Sequence, residues 1–217
     1  MVAEPETAVT LLDWMALAHT PVAQVPYQHL VIRHFVPQPA AAAARLDFPL
    51  SAHGGVAPAR AKADGDGFDR LLTALRDPVF TTAMGDRFGV PLDPDALMIT
   101  LRSRVRPQDG RIHVDSTDKV VTALIYLNDS WPHPGGMLRI LRGPDDIDDY
   151  VAEVPPLDGT LLAFRRSETS FHGHLPHDGV RRAIMLNWMT GPGAARRETM
   201  RHELSAAAKR FSGLIES

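Results

Sequence analysis

The sequence contains no cysteine. That excludes disulfides, thiolate zinc sites and cysteine nucleophiles, so any metal must be held by histidine and carboxylate. Charge of one sign is missing too. Lys+Arg 23 against Asp+Glu 26 leaves a net charge of -3, which offers nucleic acid or an acidic membrane surface no electrostatic attraction. Lysine is scarce, confined to Lys62, Lys119 and Lys209, and the excess of arginine reads more simply as coding bias than as an anion-binding device. No apolar run approaches the roughly 20 residues that a membrane helix needs. The opening Met1-Val2-Ala3-Glu4-Pro5-Glu6 has no basic segment leading into an apolar run. No signal peptide is therefore expected, and a cytoplasmic location is.

What remains is the composition of an ordinary globular protein, 44% hydrophobic and 23% charged. A length of 217 residues suits one core, so a single domain over 1–217 is expected, with no internal repeat or linker. Its first part, about 1–96, reads as helical support with one early strand. Residues 7 to 19 pattern as an amphipathic helix that Thr7 could cap, with Leu11, Trp14, Met15 and Ala18 on one face. Tyr27 to Val36 reads as a strand closed by Pro37, with His29 and His34 as ordinary strand residues. Pro39 to Leu46 reads as a short helix with proline near its first turn. The glycine-rich stretch from Ser51 to Gly67 reads as a loop and a candidate lid. Phe68 to Leu75 and Val79 to Phe88 come next as helices split by Asp77-Pro78, with Phe80, Met84 and Phe88 facing the core.

From Leu97 the hydrophobic period changes to two. Leu97, Ile99, Leu101, Ser103 and Val105 alternate with Met98, Thr100, Arg102, Arg104 and Arg106, a strand with one apolar and one partly basic face. Val120 to Leu127, Met137 to Leu141, Thr160 to Phe164 and Ala183 to Trp188 are further strand candidates, separated by turn residues. Many short strands behind a helical layer give a fold class of mainly β with flanking α. The architecture expected over about 97–190 is a double-stranded β-helix, a cupin-like jelly roll. Residues 191–217 should close the chain with a C-terminal helix, and Asp145 to Asp149 reads as a solvated acidic loop.

The stretch from His113 to Trp188 carries the chemistry. Two neutral imidazoles and one carboxylate hold Fe(II) on one face and leave the other open for oxygen and an anionic co-substrate. On an extended strand, residues i and i+2 point to one side, so His113 and Asp115 can reach one ion, and the second histidine must come from another strand. His172 lies 59 residues on (172 minus 113), beyond several strand signals. Ten residues later, across a turn at Pro176 to Gly179, Arg182 would stand opposite the His172 strand, where a guanidinium could grip a carboxylate bidentately. An H-x-D triplet alone is common. The later histidine and arginine, in that order and at that spacing, make it specific.

From about Leu97 to Met189 the sequence resembles the 2-oxoglutarate- and Fe(II)-dependent dioxygenases, in particular their prolyl-hydroxylase-like branch. The resemblance rests on His113-Val114-Asp115, Ile125-Tyr126-Leu127-Asn128, Trp131, Gly135-Gly136-x-Leu138-Arg139-Ile140, His172-x-x-x-Pro176 and the arginine six residues before Trp188, all in order. It implies that His113, Asp115 and His172 ligate iron and that Arg182 pairs with the distal carboxylate of 2-oxoglutarate, with Arg181 the runner-up. Tyr126 would bond the same carboxylate, and the Gly135-Gly136 pair would form a structural turn. His174, which shares strand parity with His172, is the rival ligand, and the Pro176 spacing favours His172; His133 and His177 belong at the rim. A tyrosine that related enzymes carry on the preceding strand is absent, with Ser103 near its place, so Arg102 or Arg104 could complete the pocket.

The implied cofactors are Fe(II), 2-oxoglutarate and O2. The implied reaction is hydroxylation of an unactivated C–H bond, with release of succinate and CO2. The expected substrate is a small molecule of amino-acid type, with a prolyl side chain of a protein or peptide as the alternative. The retained Asp115 argues against halogenation. A cupin-type metal-binding protein without 2-oxoglutarate would not need Arg182 and Tyr126.

Overall fold

A computed structural model of the chain describes residues 10–50, 56–59, 67–201 and 203. Two antiparallel sheets face each other. The larger has the order β1-β7-β4-β9-β3-β2, built from β1 (His29–Ile32), β2 (Ala57–Pro58), β3 (Leu97–Val105), β4 (Lys119–Tyr126), β7 (Leu161–Arg165) and β9 (Gly179–Met189). The smaller has the order β6-β5-β8, from β5 (Leu138–Leu141), β6 (Tyr150–Val154) and β8 (His172–Gly173). Sequence neighbours cross between sheets, which is the winding of the double-stranded β-helix expected from the strand spacing.

Alternation along the strands sorts the side chains. In the large sheet, Ile99, Leu101, Val121, Ala123, Ile125, Ile184, Leu186 and Trp188 pack outward into one buried cluster with the helices. Leu124, Tyr126, Leu162, Phe164 and Ala183 point the other way, into a second cluster between the sheets with Leu138 and Ile140. Pro39 to Leu46 falls within α2 (Gln38–Leu46), and the pair split at Asp77-Pro78 forms α3 (Gly67–Arg76) and α4 (Pro78–Phe88). Asp77 caps α4 by accepting from the Val79 amide at 2.9 Å, and Gly89 ends it in the left-handed conformation. Phe80, Met84 and Phe88 are all fully buried, as their four-residue spacing predicts. The Trp188 indole donates to Thr81 at 3.0 Å and ties α4 to β9.

The N-terminal reading needs correction. The helix α1 spans only Trp14–His19, is capped by Asp13, and buries Leu17; Leu12 just before it is buried too, while Trp14 and Met15 are exposed. Packing against the main cluster buries Leu12 and Leu17 instead, while of the face patterned in sequence Leu11 is partly buried and Trp14 meets Phe80 of α4 edge-on. Thr7 lies outside the described residues. Tyr27 to Val36 yields just the four-residue β1, because the chain turns at His34, which has φ 54°. Of the candidate lid, 51–55 and 60–66 lie outside the described residues, while Ala57–Pro58 form β2 against Leu101 and Thr100. The acidic run is not merely solvated: Asp148 pairs with the buried Arg139 and Asp149 with Arg142. A final helical segment over 192–201 packs Ala194 and Ala195 on Met98 and Met189. Among the described residues, no helix is long and apolar enough to cross a membrane.

Candidate metal centre and adjoining cavity

His113 and His172 are brought together by a single backbone bridge. The His113 amide donates to the His172 carbonyl, and the His172 amide to the His113 carbonyl, each at 3.0 Å. Residues paired in this way present their side chains on the same face, and the two imidazole centroids lie 4.3 Å apart. The i, i+2 strand expected for His113 and Asp115 does not exist as such, since the segment is irregular and only His113 is bridged. Asp115 nonetheless arrives beside them, and one potential ligand atom from each of the three lies within 4.8 Å of the others.

The donors are oriented from behind. His113 Nδ1 donates to the Arg111 carbonyl at 2.9 Å and His172 Nδ1 to the Ser170 carbonyl at 2.9 Å. A carbonyl can only accept, so each neutral ring keeps its lone pair on Nε2, the tautomer a metal ligand needs. Asp115 is held by Lys119 at 2.7 Å on Oδ1 and by the Thr122 hydroxyl at 2.6 Å on Oδ2, with Asn187 3.2 Å from that hydroxyl. Burial raises its pKa, but Lys119, His172 and these hydrogen bonds more than reverse that, and the carboxyl is held below its ordinary range. Burial drives His172 the other way for a base, down to about 4, against the pull of Asp115. An ionised carboxylate and two imidazoles whose Nδ1 atoms are spent on carbonyls, converging on one point, are a donor set that fits Fe(II). His113 is the exposed member and His172 and Asp115 are buried, so the centre opens on one side.

A cavity adjoins these three residues and is lined as well by Arg102, Asp109, His174 and Arg181. Arg181, not Arg182, reaches it. Arg181 is 2% exposed; its Nε donates to the Gly136 carbonyl at 2.8 Å and its Nη2 to the Tyr126 hydroxyl at 3.0 Å. The preference for Arg182 is therefore corrected. Strand parity puts position 182 with Ile184, Leu186 and Trp188 on the helix-facing side, while 181 shares a side with Ala183 and Met185. The expected hairpin from His172 to Arg182 is also absent, because β8 pairs with β5 in the small sheet and β9 with β3 and β4 in the large one. Tyr126 is fully buried behind Arg181, outside the cavity lining, its pKa raised by burial despite Arg181.

The Gly135-Gly136 turn does more than reverse the chain. Gly136 has φ 79°, and its carbonyl fixes the Arg181 guanidinium. His174 is outside the metal cluster but inside the cavity, buried, with Nδ1 donating to the Leu175 carbonyl at 2.8 Å and Nε2 without a partner. Burial, then Arg181, push its pKa down to about 4. His133 and His177 cluster on Trp131, the His133 ring edge-on to the indole and the His177 ring tilted against it, and none of the three lines the cavity. Sequence reasoning missed Tyr27, whose hydroxyl donates to the Phe171 carbonyl at 2.8 Å and is raised by burial and by Asp115. It also missed Lys119 and Thr122. Thr122 had a readable signal, since it shares strand parity with Tyr126.

Comparison with known proteins agrees with this geometry. Residues 102–190 match the model of the 2OG-Fe(II) oxygenase superfamily. Among solved structures, the chain is similar to a Pseudomonas putida prolyl-4-hydroxylase, at 20% identity and a TM-score of 0.55, over 81% of this chain and 96% of that one. It is also similar to a Trichoplax adhaerens prolyl hydroxylase solved with a hypoxia inducible factor peptide fragment, at 17% identity and a TM-score of 0.53, over 79% and 86% of the two chains. No curated protein sequence matches.

Proposed function

We propose that the chain is a 2OG-Fe(II) oxygenase that hydroxylates a small, amino-acid-type substrate, with His113, Asp115 and His172 as its iron ligands. The observation that carries this reading is the presence, in one cavity, of that donor set and of Arg181, whose guanidinium is held in place by the buried Tyr126 hydroxyl. When bound, Fe(II) with 2-oxoglutarate supplies the oxidising power by which one oxygen atom of O2 ends in succinate and the other in the hydroxylated product, with loss of CO2.

The chain's own residues then have separable tasks. His113 and His172 offer Nε2 and Asp115 an oxygen, while Lys119 and Thr122 keep that carboxylate ionised and aimed. Arg181 takes the distal carboxylate of 2-oxoglutarate in a charge-assisted hydrogen bond. Tyr126, whose hydroxyl already accepts from Arg181, has its own proton left to donate to the same carboxylate. Leu124, Leu138, Phe164 and Met185 supply the apolar part of the cavity wall.

The test is 2-oxoglutarate conversion to succinate by Fe(II)-loaded protein after oxygen is admitted. Wild type should turn over, His113→Ala should not, and Arg181→Gln should need much more 2-oxoglutarate. No succinate together with no 2-oxoglutarate binding to the Fe(II) protein would instead favour a metal-binding cupin without this chemistry.

A further inference from the structure

The cavity holds more positive charge than iron and co-substrate use. Its two arginines differ in exposure. Arg181 is 2% exposed, whereas the Arg102 side chain is 19% exposed. Arg102 projects from β3 opposite Ala183 and lines the same cavity as Arg181 and His174. Its Nε is buried without a hydrogen-bond partner, and its nearest carboxylate, Asp109, is 4.0 Å away, beyond hydrogen-bond reach.

Each carboxylate of the cavity is already engaged at shorter range by another cation. Asp109 accepts from Arg106, from the side chain at 3.2 Å and from the amide at 3.0 Å. Asp115 is paired with Lys119 at 2.7 Å. Fe(II) is a dication and 2-oxoglutarate a dianion, so together they add no net charge. With only one co-substrate carboxylate to share, two neighbouring guanidinium groups, Arg181 buried and Arg102 partly so, leave one with no closer partner than Asp109 at 4.0 Å, and a poorly matched charge out of water is costly. Burial, and then Arg181, already weaken the hold of Arg102 on its proton.

Resting on the proposed function, we propose that Arg102 binds a carboxylate of the substrate, so that the substrate is a free acid of amino-acid type, not an internal residue of a peptide. The neighbouring His174 supplies the second point of recognition. Its Nδ1–H is spent on the Leu175 carbonyl, so the unpartnered Nε2 is an acceptor, suited to an N–H or O–H of the substrate and not to its carboxylate. A carboxylate beside a hydrogen-bond donor describes an amino acid or a hydroxy acid.

Two measurements test this. The first is calorimetric titration of 2-oxoglutarate, without oxygen, into Fe(II)-loaded wild type, Arg102→Gln, Arg102→Lys and Arg181→Gln. Arg102→Gln should stay within about twofold of wild type, and Arg181→Gln should weaken by at least tenfold. The second compares the protein L-amino acids with their carboxamides, by stimulation of succinate formation and by calorimetric binding to the 2-oxoglutarate complex. At least one free acid should act and its amide should not. Arg102→Gln should weaken that acid at least tenfold, with partial recovery in Arg102→Lys. Loss of 2-oxoglutarate affinity in Arg102→Gln equal to that in Arg181→Gln would make Arg102 half of the co-substrate clamp and overturn the proposal. So would an amide, or a peptide with the residue internal, acting as well as the acid, or no free acid acting at all. The acid–amide comparison needs only wild type, so a misfolded variant does not blunt it. Wild type that fails to bind 2-oxoglutarate overturns the functional reading itself, and the proposal with it.

Discussion

One position along an extended strand turns a side chain through the sheet, and that step separates Arg181 from Arg182. Arg181→Gln and Arg182→Gln therefore test the parity directly. The first should raise the dissociation constant for 2-oxoglutarate at least tenfold, since a charge-assisted hydrogen bond contributes about 1.5–3 kcal/mol. The second should leave it nearly unchanged, as read by the same titration. At the metal end, Thr122→Val removes the hydroxyl 2.6 Å from Asp115 Oδ2 at little change in volume. Metal affinity should fall by about 10–100-fold, the usual consequence of losing a partner behind a ligand. Competition with a chelator for Fe(II) or Mn(II) measures it.

At the scale of elements, the short turn Pro107–Gly110 carries Asp109 and leads into His113. It is pressed against the β8 side of the cavity. A Cβ at Gly110 would stand 2.3 Å from the His174 carbonyl oxygen and 2.4 Å from its Nδ1, and backbone cannot yield as a flexible side chain would. Gly110→Ala should displace the His113 segment from His172, lowering metal affinity more than it lowers the midpoint of unfolding; both are read on one preparation. On the opposite face, α4 inserts Phe80 between Phe35 and Trp188, with ring centroids 5.9 Å apart in each pair. Phe80→Ala should cost about 3–5 kcal/mol in urea unfolding, by lost burial plus the cavity left behind, with co-substrate affinity little affected in the protein that remains folded.

For the molecule as a whole, the cavity histidines link stability to acidity. His172 and His174 are both lowered to about 4 by burial, from an ordinary value of 6.5. Between those values the unfolded chain takes up protons that the folded chain does not, so stability present above pH 6.5 is lost as the pH falls toward 4. At pH 5 the loss should be on the order of 2 kcal/mol per histidine relative to neutral pH, for the metal-free protein. Asp115 and Asp109, both held below the ordinary carboxylate value, continue the decline in more acid solution, because their stabilisation is lost as they protonate. Urea midpoints at about pH 7.5 and about pH 5 check the sign. Added Fe(II) or Mn(II) should restore stability, since only the folded chain gathers the three donors.

Local pattern alone determined much of this protein. Period-two alternation announced β3, the four-residue spacing of Phe80, Met84 and Phe88 announced the buried face of α4, and Asp77-Pro78 marked the break before it. His113, Asp115 and His172 were legible as candidates because Fe(II) tolerates few donor sets. Tertiary structure decided what depends on which chain lies next to which. The face that α1 buries depends on packing against the main cluster. The pairing of His113 with His172 is a bridge between irregular chain and a two-residue strand, too short to leave any period. The assignment of β8 and β9 to different sheets removed the hairpin that the spacing of His172 and Arg182 suggested, and the parity of β9 turned Arg181 into the cavity instead. Arg102, whose strand pattern fits pocket and solvent equally, became a cavity residue only when β3 was laid beside β9, because a charge owes its meaning to the partners that folding places around it.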